Sequence, residues 1–380
     1  MKADNRFLNE LFRIINGALR LDIDKVRNYT AYLAEKLEES GDKASAAHLR
    51  KLLKDSEHQL HPTGISQSRM VPVDSETRFP LLEKIDIKSK DEVPVMLSES
   101  HWNIINEFTS IAKSYAQVDA QGLVNSLTLL MYGPPGTGKT RLGRYIAKEL
   151  GLDLYIARLD GLISSYLGST SKNIRSLFDF AAKNPCVLFL DEFDAIAKLR
   201  GDSQELGELK RVVNSFIQNL DSLSSQSIVI AATNHPELLD AAIWRRFSYR
   251  LELDYPNQTL RQDMWQKFLP PVRFSEKEVA LLVDLSEGFS GADIQDVCTR
   301  LKRKKIVQNE TPVFKDAFFI LKNISLGGEN NKKNFLSAIQ NKEEEFIIKA
   351  LRERNPNLYS FNAVGDIFGF SKSKAHRLSK

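Results

Sequence analysis

The sequence predicts an α/β fold: a parallel sheet with helices on both faces, followed by a small all-helical domain, with helical additions at both ends. Short apolar runs alternate with amphipathic helical stretches between residues 97 and 256, which is typical of a parallel sheet covered on both faces. After Pro256 the strand pattern stops and helical patterns follow. The length of 380 residues and a hydrophobic share of 42% allow two or three folded units.

Composition narrows the class of protein. The formal net charge is only +4, so the chain as a whole does not have the charge of a nucleic-acid coat. The two cysteines, Cys186 and Cys298, have apolar neighbours and are expected to be core thiols in a reducing compartment. No apolar run reaches the ~18–20 residues of a membrane-spanning helix, and no signal-peptide pattern is present. We therefore expect a cytoplasmic protein with no membrane partner.

Residues 1–56 predict a helical region, because apolar residues recur there at helical spacing. One stripe comprises Phe7, Leu8, Leu11, Phe12 and Ile15, and a second comprises Ile23, Val26, Leu33 and Leu37. A third short helix is expected at 43–54, and the helices should pack on each other or on a partner. Residues 57–96 lose this periodicity and contain prolines, which predicts a linker that can hold a strand or two.

The remaining elements follow in order. Strands are expected at 127–132, 154–158, 187–190, 228–233 and 250–253, with helices at 100–115, 170–183 and 205–223 and one after the first strand. Residues 97–256 would then form the α/β domain. Helices at 259–269, 276–286 and 292–307 predict a small helical domain of residues 257–328, followed by a C-terminal region of residues 329–380.

A glycine-rich turn follows the first of these strands and matches the pattern G-x-x-x-x-G-K-[ST]. Its glycines let backbone N–H groups point inward, and the helix that follows adds the positive end of its dipole, which suits phosphate. Lys139 should reach the β- and γ-phosphates, and the Thr140 hydroxyl should ligate Mg²⁺. The predicted site for ATP or GTP comprises Gly133, Pro134, Pro135, Gly136, Thr137, Gly138, Lys139, Thr140 and the adjoining Arg141.

Two later strands end in polar residues. The strand expected at 187–190 is followed by Asp191 and Glu192, and the strand expected at 228–233 is followed by Asn234. A strand beside the phosphate loop would place Asp191 near Mg²⁺ and Glu192 where it can polarise a water for in-line attack. The alternative is a strand that ends in solvated acids. Because ligands of such sheets bind beyond the carboxyl ends of the strands, Asn234 is expected to hold the attacking water or a γ-phosphate oxygen.

Two adjacent arginines, Arg245 and Arg246, precede Phe247. Their spacing alone leaves two interpretations open. They are either surface charge or arginine fingers that neutralise charge on the transferred phosphoryl group.

Taken together, the motifs GPPGTGKT, VLFLDE, AATN, DAAIWRRF and GFSGADI resemble the AAA family of ring-forming ATPases. Their order and spacing are most similar to the branch that includes spastin, katanin and FtsH-type proteases, over roughly Leu97 to Val307. The resemblance implies a P-loop NTPase domain with a small all-α lid domain, and a homo-hexamer with ATP held between subunits. Many members have a proline between the two arginines, whereas the adjacent pair here matches spastin-like members.

The resemblance also implies roles for individual residues. Arg245 and Arg246 would reach the nucleotide of the neighbouring subunit, and Asn234 would be the first sensor. Gly291 and Ala292 would lie near the adenine. Tyr166, Leu167 and Gly168 would line the central pore and grip an extended polypeptide, and Arg200–Glu208 would be a second pore loop, although its charges fit simple solvation equally well.

Residues 361–378 predict two helices with a tight turn at Gly369, the second capped by Ser371. The segment resembles the helix-turn-helix of bacterial regulators, and a preceding helix at Phe335–Arg352 would complete a three-helix core. The residues that would face DNA are Lys372, Ser373, Lys374, His376 and Arg377. From Asn331 onward ten Lys and Arg stand against five Asp and Glu, which favours a polyanion. Gly365, where alanine is usual, is a departure, and a small helical cap is the alternative.

We therefore expect a hexameric ATPase that remodels, unfolds or threads a protein substrate, with its N-terminal helices recruiting that substrate or a partner. The sequence contains neither H-E-x-x-H nor G-x-S-x-G, so any proteolysis would need a separate protease. Two other functions are open: an ATPase recruited to DNA through residues 361–378, and a nucleotide-dependent assembly scaffold. The basic run Arg300–Lys305 is expected to be a solvated helix face.

Overall fold

A computed structural model gives the fold. It describes residues 7–57, 71–74, 77–87, 94–115, 118, 121, 127–159, 167–198, 206–223, 227–325, 335–339 and 342–378. The chain divides into two compact units. The α/β unit holds the N-terminal helices and the sheet; the helical unit holds residues from Leu253 onward, together with Met96–Ser98 and Pro134–Gly138. The finer division into five regions stays a prediction.

The α/β unit contains all six described strands. They are β1 (Glu83–Ile85), β2 (Thr128–Tyr132), β3 (Asp153–Arg158), β4 (Cys186–Asp191), β5 (Ile228–Thr233) and β6 (Tyr249–Glu252). Its described helices are α1 (Leu8–Leu19), α2 (Ile23–Glu39), α3 (Lys43–Glu57), α4 (Glu99–Lys113), α5 (Lys139–Leu150), α6 (Leu167–Lys183), α7 (Asp194–Lys198), α8 (Leu206–Ser222) and α9 (Ala241–Trp244). Each of the strands predicted between residues 127 and 253 is present, and each of its two ends lies within one residue of the predicted end.

The sheet has the strand order β1-β3-β4-β5-β2-β6. Strand β1 is antiparallel to β3, and the other described pairs are parallel. The predicted parallel sheet is therefore confirmed, with one antiparallel edge strand from the linker. Strand β4 is separated from β2, the strand of the phosphate loop, by β5. Parallel strands end at one edge of a sheet, so the ends of β4, β5 and β2 still meet there.

Successive side chains of β4 point to opposite faces of the sheet, and both faces are covered. The ring of Phe189 lies under α5, so close that a Cβ on Gly143 would come within 2.5 Å of it. Leu188 and Leu190 point the other way, into a core formed with α6 and α8, which contribute Phe178 and Phe216. The predicted helical layers on both faces are confirmed.

Within the α/β unit, helix α2 packs on the rest of the unit through polar groups. The Asn28 amide donates to the carbonyl of Lys183 (3.1 Å), the Tyr29 hydroxyl to that of Asn184 (3.3 Å) and the Tyr32 hydroxyl to that of Gly151 (2.9 Å). These acceptors lie at or just beyond the ends of α6 and α5, where backbone carbonyls lack partners within the helix.

Helix α1 turns a polar side toward the protein and leaves much of its apolar side at the surface. It buries Glu10 and Arg13, and Arg13 donates to the Tyr29 hydroxyl at 3.0 Å. Leu8, Leu11 and Ile15 of the predicted apolar stripe are 38%, 45% and 56% exposed. The first apolar stripe therefore does not form the core of the N-terminal region.

The helical unit contains the second group of described helices. They are α10 (Gln258–Phe268), α11 (Glu276–Leu285), α12 (Gly291–Val307), α13 (Phe314–Ile324), α14 (Phe335–Ala338), α15 (Glu344–Arg354), α16 (Phe361–Phe368) and α17 (Lys372–Leu378). The single helix expected at Phe335–Arg352 is wrong, because the structure has α14 and α15 instead. Glu343 is extended and precedes α15, so the acids that follow it occupy the first turn, where the helix dipole favours negative charge.

Three smaller predictions can also be compared with the structure. Both cysteines are buried and free, and burial raises the pKa of each thiol to about 12, as expected for core thiols. In the run Arg300–Lys305, Leu301 is buried, whereas Arg300 pairs with Asp296 and Lys304 with Asp316. Among the described helices, none is both long and apolar enough to cross a bilayer.

Candidate nucleotide-binding site

The predicted phosphate loop connects β2 to α5. Its three glycines, Gly133, Gly136 and Gly138, have φ angles of 132°, 77° and 99°, which side chains with a Cβ rarely adopt. The Thr137 hydroxyl donates to the Pro134 carbonyl at 2.9 Å and closes the turn. The backbone therefore has the curled form in which N–H groups can surround a phosphate.

Gly136 also touches the start of helix α12. A Cβ at this position would lie 2.5 Å from the Ser290 hydroxyl oxygen, so a side chain is excluded here by both space and backbone angle. The Gly136 carbonyl accepts from the Ala292 N–H at 3.1 Å, and Ser290 caps α12 through a capping box with Asp293. The predicted pair Gly291 and Ala292 thus lies beside the phosphate loop. Its role at the adenine stays a prediction.

Lys139 opens helix α5 and is only 8% exposed. Its ammonium donates to the Gly133 carbonyl at 2.7 Å. Burial lowers the pKa of Lys139 to about 8, and the nearby carboxylates of Asp191 and Asp194 partly oppose this shift. The ammonium is therefore a poorly solvated cation at the phosphate loop, suited to a phosphate oxygen.

Thr140 and Asp191 meet as predicted. The Thr140 hydroxyl donates to Asp191 Oδ2 over 3.4 Å, across the gap between α5 and the end of β4. Hydroxyl and carboxylate oxygens are ligands that Mg²⁺ prefers, usually together with phosphate and water. Among the described residues, no group of three or more His, Cys, Asp or Glu side chains is arranged so that it could hold a metal ion. The donor set thus fits an ion that arrives with a nucleotide.

Glu192 follows Asp191 in a strained turn. Its φ is 52°, uncommon for a residue with a side chain and often found at functional sites. The Glu192 N–H donates to Asp191 Oδ1 at 3.0 Å, and the next N–H, of buried Phe193, donates to the Ala232 carbonyl at 2.8 Å. Phe193 therefore anchors the turn to β5, and the Glu192 side chain is exposed.

Asn234 follows β5 and is exposed. The pairing of Tyr132 with Thr233 places Asn234 level with Gly133, the first residue of the phosphate loop. The buried Thr233 hydroxyl donates to Asp194 Oδ1 at 3.0 Å and accepts from the His235 N–H at 3.0 Å. Sequence reasoning missed this link between the ends of β4 and β5. Its only signal was a threonine before Asn234 and an acid three residues after Asp191.

The two arginines differ in their contacts. Arg245 is exposed, whereas Arg246 holds Asp221 through Nε at 3.0 Å and Nη2 at 3.1 Å. The Arg246 carbonyl accepts from the Thr128 hydroxyl at 2.9 Å. Thr128 begins β2, and the phosphate loop follows the other end of that strand, about 13 Å further on at ~3.3 Å per residue. The backbone of Arg246 therefore lies at the amino-terminal end of β2, away from the end that leads into the phosphate loop.

The predicted pore residues are covered only in part. Tyr166 lies outside the described residues, and Leu167 and Gly168 are the first residues of α6. These two residues therefore belong to a helix, and the pore role of the three residues stays a prediction. Of the second predicted pore loop, residues 199–205 lie outside the described part, and Leu206–Glu208 begin α8.

A curled glycine loop between a buried parallel strand and a helix, with Lys139, Thr140 and Asp191 around it, defines a P-loop nucleoside triphosphatase. Comparison with known proteins narrows this class. The model of the "ATPase family associated with various cellular activities (AAA)" matches residues 129–255. The chain is 36% identical over 282 residues, 73% of its length, to the uncharacterized AAA family ATPase y4kL of Sinorhizobium fredii, of which it covers 83%. The chain belongs to the AAA family of ATPases, and it hydrolyses ATP.

Two other comparisons agree. The chain is 38% identical over 175 residues to a putative 26S proteasome regulatory subunit homolog of Methanocaldococcus jannaschii, covering 44% of this chain and 46% of that protein. The crystal structure of the FIGL-1 AAA domain in complex with ADP matches with a TM-score of 0.56 and 22% identity, over 74% of this chain and 99% of that one. The structural likeness supports the fold.

Replacing Lys139 by methionine is expected to stabilise the nucleotide-free protein and to abolish ATP binding. The unfolded chain keeps the Lys139 proton up to its ordinary pKa of 10.5, whereas the folded protein keeps it only up to about 8. The buried charge therefore destabilises the fold at pH 7, and this penalty disappears as the pH rises from 8 to 10.5. At ~1.4 kcal/mol per pKa unit, removing it should raise the free energy of unfolding by about 1–3 kcal/mol.

The measurement is thermal or urea unfolding at pH 7 with and without ATP and Mg²⁺. Saturating ATP should stabilise the wild type by about 2–3 kcal/mol at a hundredfold excess over Kd, and should leave Lys139→Met unaffected. Lys148→Met, which changes an exposed lysine on the same helix, is the matched control and should show neither effect. A methionine variant that is less stable at pH 7, or that still responds to ATP, would contradict the prediction.

Proposed function

We propose that this ATPase assembles into a homo-hexameric ring and uses ATP hydrolysis to thread or unfold a protein substrate through its central pore. The observation that carries the proposal is the position of Arg245 and Arg246. The backbone of Arg246 lies at the amino-terminal end of β2, and the phosphate loop follows the carboxyl-terminal end of that strand. We take this separation as support for arginines that act on the ATP of a neighbouring subunit in a ring.

Within the site, each residue has a distinct task. Lys139 and the glycine loop bind and orient the phosphates, and Thr140 and Asp191 would hold Mg²⁺, which neutralises phosphate charge when bound. Glu192, exposed beside Asp191, takes a proton from the attacking water. Asn234, level with the phosphate loop, positions that water or a γ-phosphate oxygen. These tasks are proposals based on the geometry of the described residues.

The two arginines have different proposed roles. Arg246 is held by Asp221 and by the Ala242 carbonyl, to which its Nη1 donates at 3.3 Å. It is therefore a positioning residue, which fixes the turn after α9. Arg245 is exposed next to this fixed turn, so we assign to it the finger that reaches the neighbouring nucleotide and stabilises the charge of the transition state.

A protein substrate is supported by the relatives. One is named as a putative homolog of a regulatory subunit of the proteasome, and the motifs resemble those of ATPases that act on proteins. This sequence contains neither H-E-x-x-H nor G-x-S-x-G. We therefore assign any proteolysis of the substrate to a separate protease.

Tyr166 is the residue that tests threading. Tyr166→Ala should leave ATP hydrolysis within about twofold of the wild type, because the residues proposed to bind and hydrolyse ATP are unchanged. It should abolish ATP-dependent capture of an unfolded polypeptide, because an aromatic ring supplies most of the apolar grip on an extended chain.

The measurement is the binding of fluorescein-labelled casein in ATP, in a Glu192→Gln background that slows hydrolysis. Tyr166→Phe, which keeps the ring, is the control and should retain capture. Equal casein binding by the alanine and tyrosine forms would rule out the threading role of this residue.

A further inference from the structure

Three helices, α15, α16 and α17, form a compact module within the helical unit. Helix α16 ends at Gly369, whose φ and ψ of 69° and 34° are left-handed and favour glycine. The Phe370 N–H donates back to the Gly365 carbonyl at 2.7 Å. Ser371 then caps α17 by accepting from the Lys374 N–H at 3.3 Å. The turn between the two helices is therefore fixed by one backbone hydrogen bond and one side-chain cap.

Gly365 explains how closely the two helices approach. A Cβ on Gly365 would lie 2.6 Å from the Phe370 carbonyl oxygen, so not even an alanine fits without a shift. Glycine stands at this position, where alanine is usual, because the turn after α16 passes too close to residue 365 for a side chain. The two helices and the turn between them are kept.

The module is anchored through α15 and α16. Arg354 binds Asp284 of α11, with Nε 2.7 Å from Oδ2, and the Tyr359 hydroxyl donates to the same carboxylate. The ring of Phe368 in α16 packs edge-on against Phe318 of α13, with the ring centroids 5.7 Å apart. These contacts hold two of the three helices against the rest of the helical unit.

Helix α17 has a different environment. It packs on α15 and α16, and Ala375 is its one fully buried residue. Its exposed residues are Lys372, Ser373, Lys374, His376 and Arg377. A helix that only capped the fold would bury a stripe of apolar side chains; α17 instead presents three cations and no carboxylate.

Further groups extend this surface. Lys315 of α13 reaches the turn, with Nζ 3.9 Å from the position of a Cβ on Gly369. The His376 ring packs edge-on against the Phe361 ring, with the centroids 4.8 Å apart, and the guanidinium of Arg352 lies over the same Phe361 ring, 4.1 Å from its centroid. The exposed side of α17 is thus rigidly supported and continuous with a cation from a neighbouring helix.

We infer that this module is a binding site for double-stranded DNA, with α17 as the helix that enters the major groove. An α-helix with its side chains is ~10–12 Å across, which fits a major groove ~12 Å wide. Lys372, Lys374 and Arg377 contact phosphates and base edges, and Ser373 and His376 supply further polar contacts. The inference adds a DNA partner to the ATPase and does not depend on threading.

The test is fluorescence anisotropy of a labelled 30-base-pair duplex titrated with the full chain over a series of NaCl concentrations. Lys372→Ala/Arg377→Ala should weaken binding by at least about tenfold and reduce the slope of log K against log salt by about two, since two phosphate contacts are lost. Lys302→Ala/Arg303→Ala, which removes the same charge from α12 of the same unit, is the matched control and should keep the slope of the wild type.

The charge-conserving variant Lys372→Arg/Arg377→Lys should bind within about threefold of the wild type, because phosphate attraction depends mainly on charge. Equal affinity and slope for the wild type and Lys372→Ala/Arg377→Ala would overturn the inference, as would an equal loss in the α12 control. Tighter binding of single-stranded DNA or of an RNA duplex would also overturn it. ATP hydrolysis without DNA should be unchanged in every variant, so failure of the DNA site is distinguishable from failure of the ATPase.

Discussion

Replacing Glu192 by glutamine is expected to lower ATP hydrolysis by about 10²–10⁴-fold while ATP binding is retained. The amide keeps the size of the side chain but cannot accept a proton from water. Asp191, Thr140 and Lys139 are unchanged, and the turn that carries residue 192 is fixed by the Phe193–Ala232 hydrogen bond. Phosphate release measures hydrolysis, and the binding of a fluorescent ATP analogue measures affinity.

A matched control is Glu237→Gln, which alters an exposed acid three residues beyond Asn234. It should hydrolyse ATP at the rate of the wild type. If Glu192→Gln also keeps that rate, Glu192 is not the base, and the alternative of solvated acids at the end of β4 is restored. If the variant loses turnover yet every ATP-dependent function persists, the protein acts as a nucleotide-dependent scaffold.

Replacing Arg245 by alanine should lower hydrolysis by about 10³–10⁵-fold, the usual effect of losing an arginine finger. The larger effect is expected at Arg245 because Arg246 is engaged by Asp221. Arg246→Ala should act more weakly and through the turn, so Asp221→Ala should reproduce much of its effect. The measurement is the steady-state rate of ATP hydrolysis, compared between the three variants and the wild type at the same protein concentration.

Mixing subunits tests whether the finger acts in a neighbour. Neither Arg245→Ala nor Lys139→Ala alone should hydrolyse ATP. In a random mixture, about one interface in four joins an intact phosphate loop to an intact finger, provided that subunits assemble head to tail. Activity near a quarter of the wild type is therefore expected, and a mixture with no activity above its components would argue against a shared site.

Much of this site was predictable because its signals are local. The spacing within Gly133–Thr140 predicts a curled loop before a helix, and an apolar strand that ends in Asp191 and Glu192 predicts where the two acids lie. These patterns are governed by backbone geometry over a few residues, which one sequence displays directly.

What could not be predicted depends on residues far apart in the chain. The position of β5 between β2 and β4 follows from how strands pair in the folded sheet, and nothing within either strand encodes it. The Arg246–Asp221 pair joins residues 25 positions apart, so the difference between the two arginines appears only in the structure.

Amphipathic periodicity has a similar limit. It shows that α1 has an apolar side, but it does not show which side faces the protein. Here the polar side is buried because Arg13 and Tyr29 bind each other, and Leu8, Leu11 and Ile15 are left at the surface. The break between α14 and α15 was missed for the opposite reason: apolar periodicity continued across acids that begin a new helix.

The three hydrogen bonds from Asn28, Tyr29 and Tyr32 bear on where this chain can be shortened. All three donors lie in α2, and they end on backbone carbonyls of the ATPase fold itself. A truncation that removed α2 would take these donors away from the ends of α5 and α6, and we expect it to lower the free energy of unfolding. A stable ATPase fragment should therefore begin before the first strand, with α2.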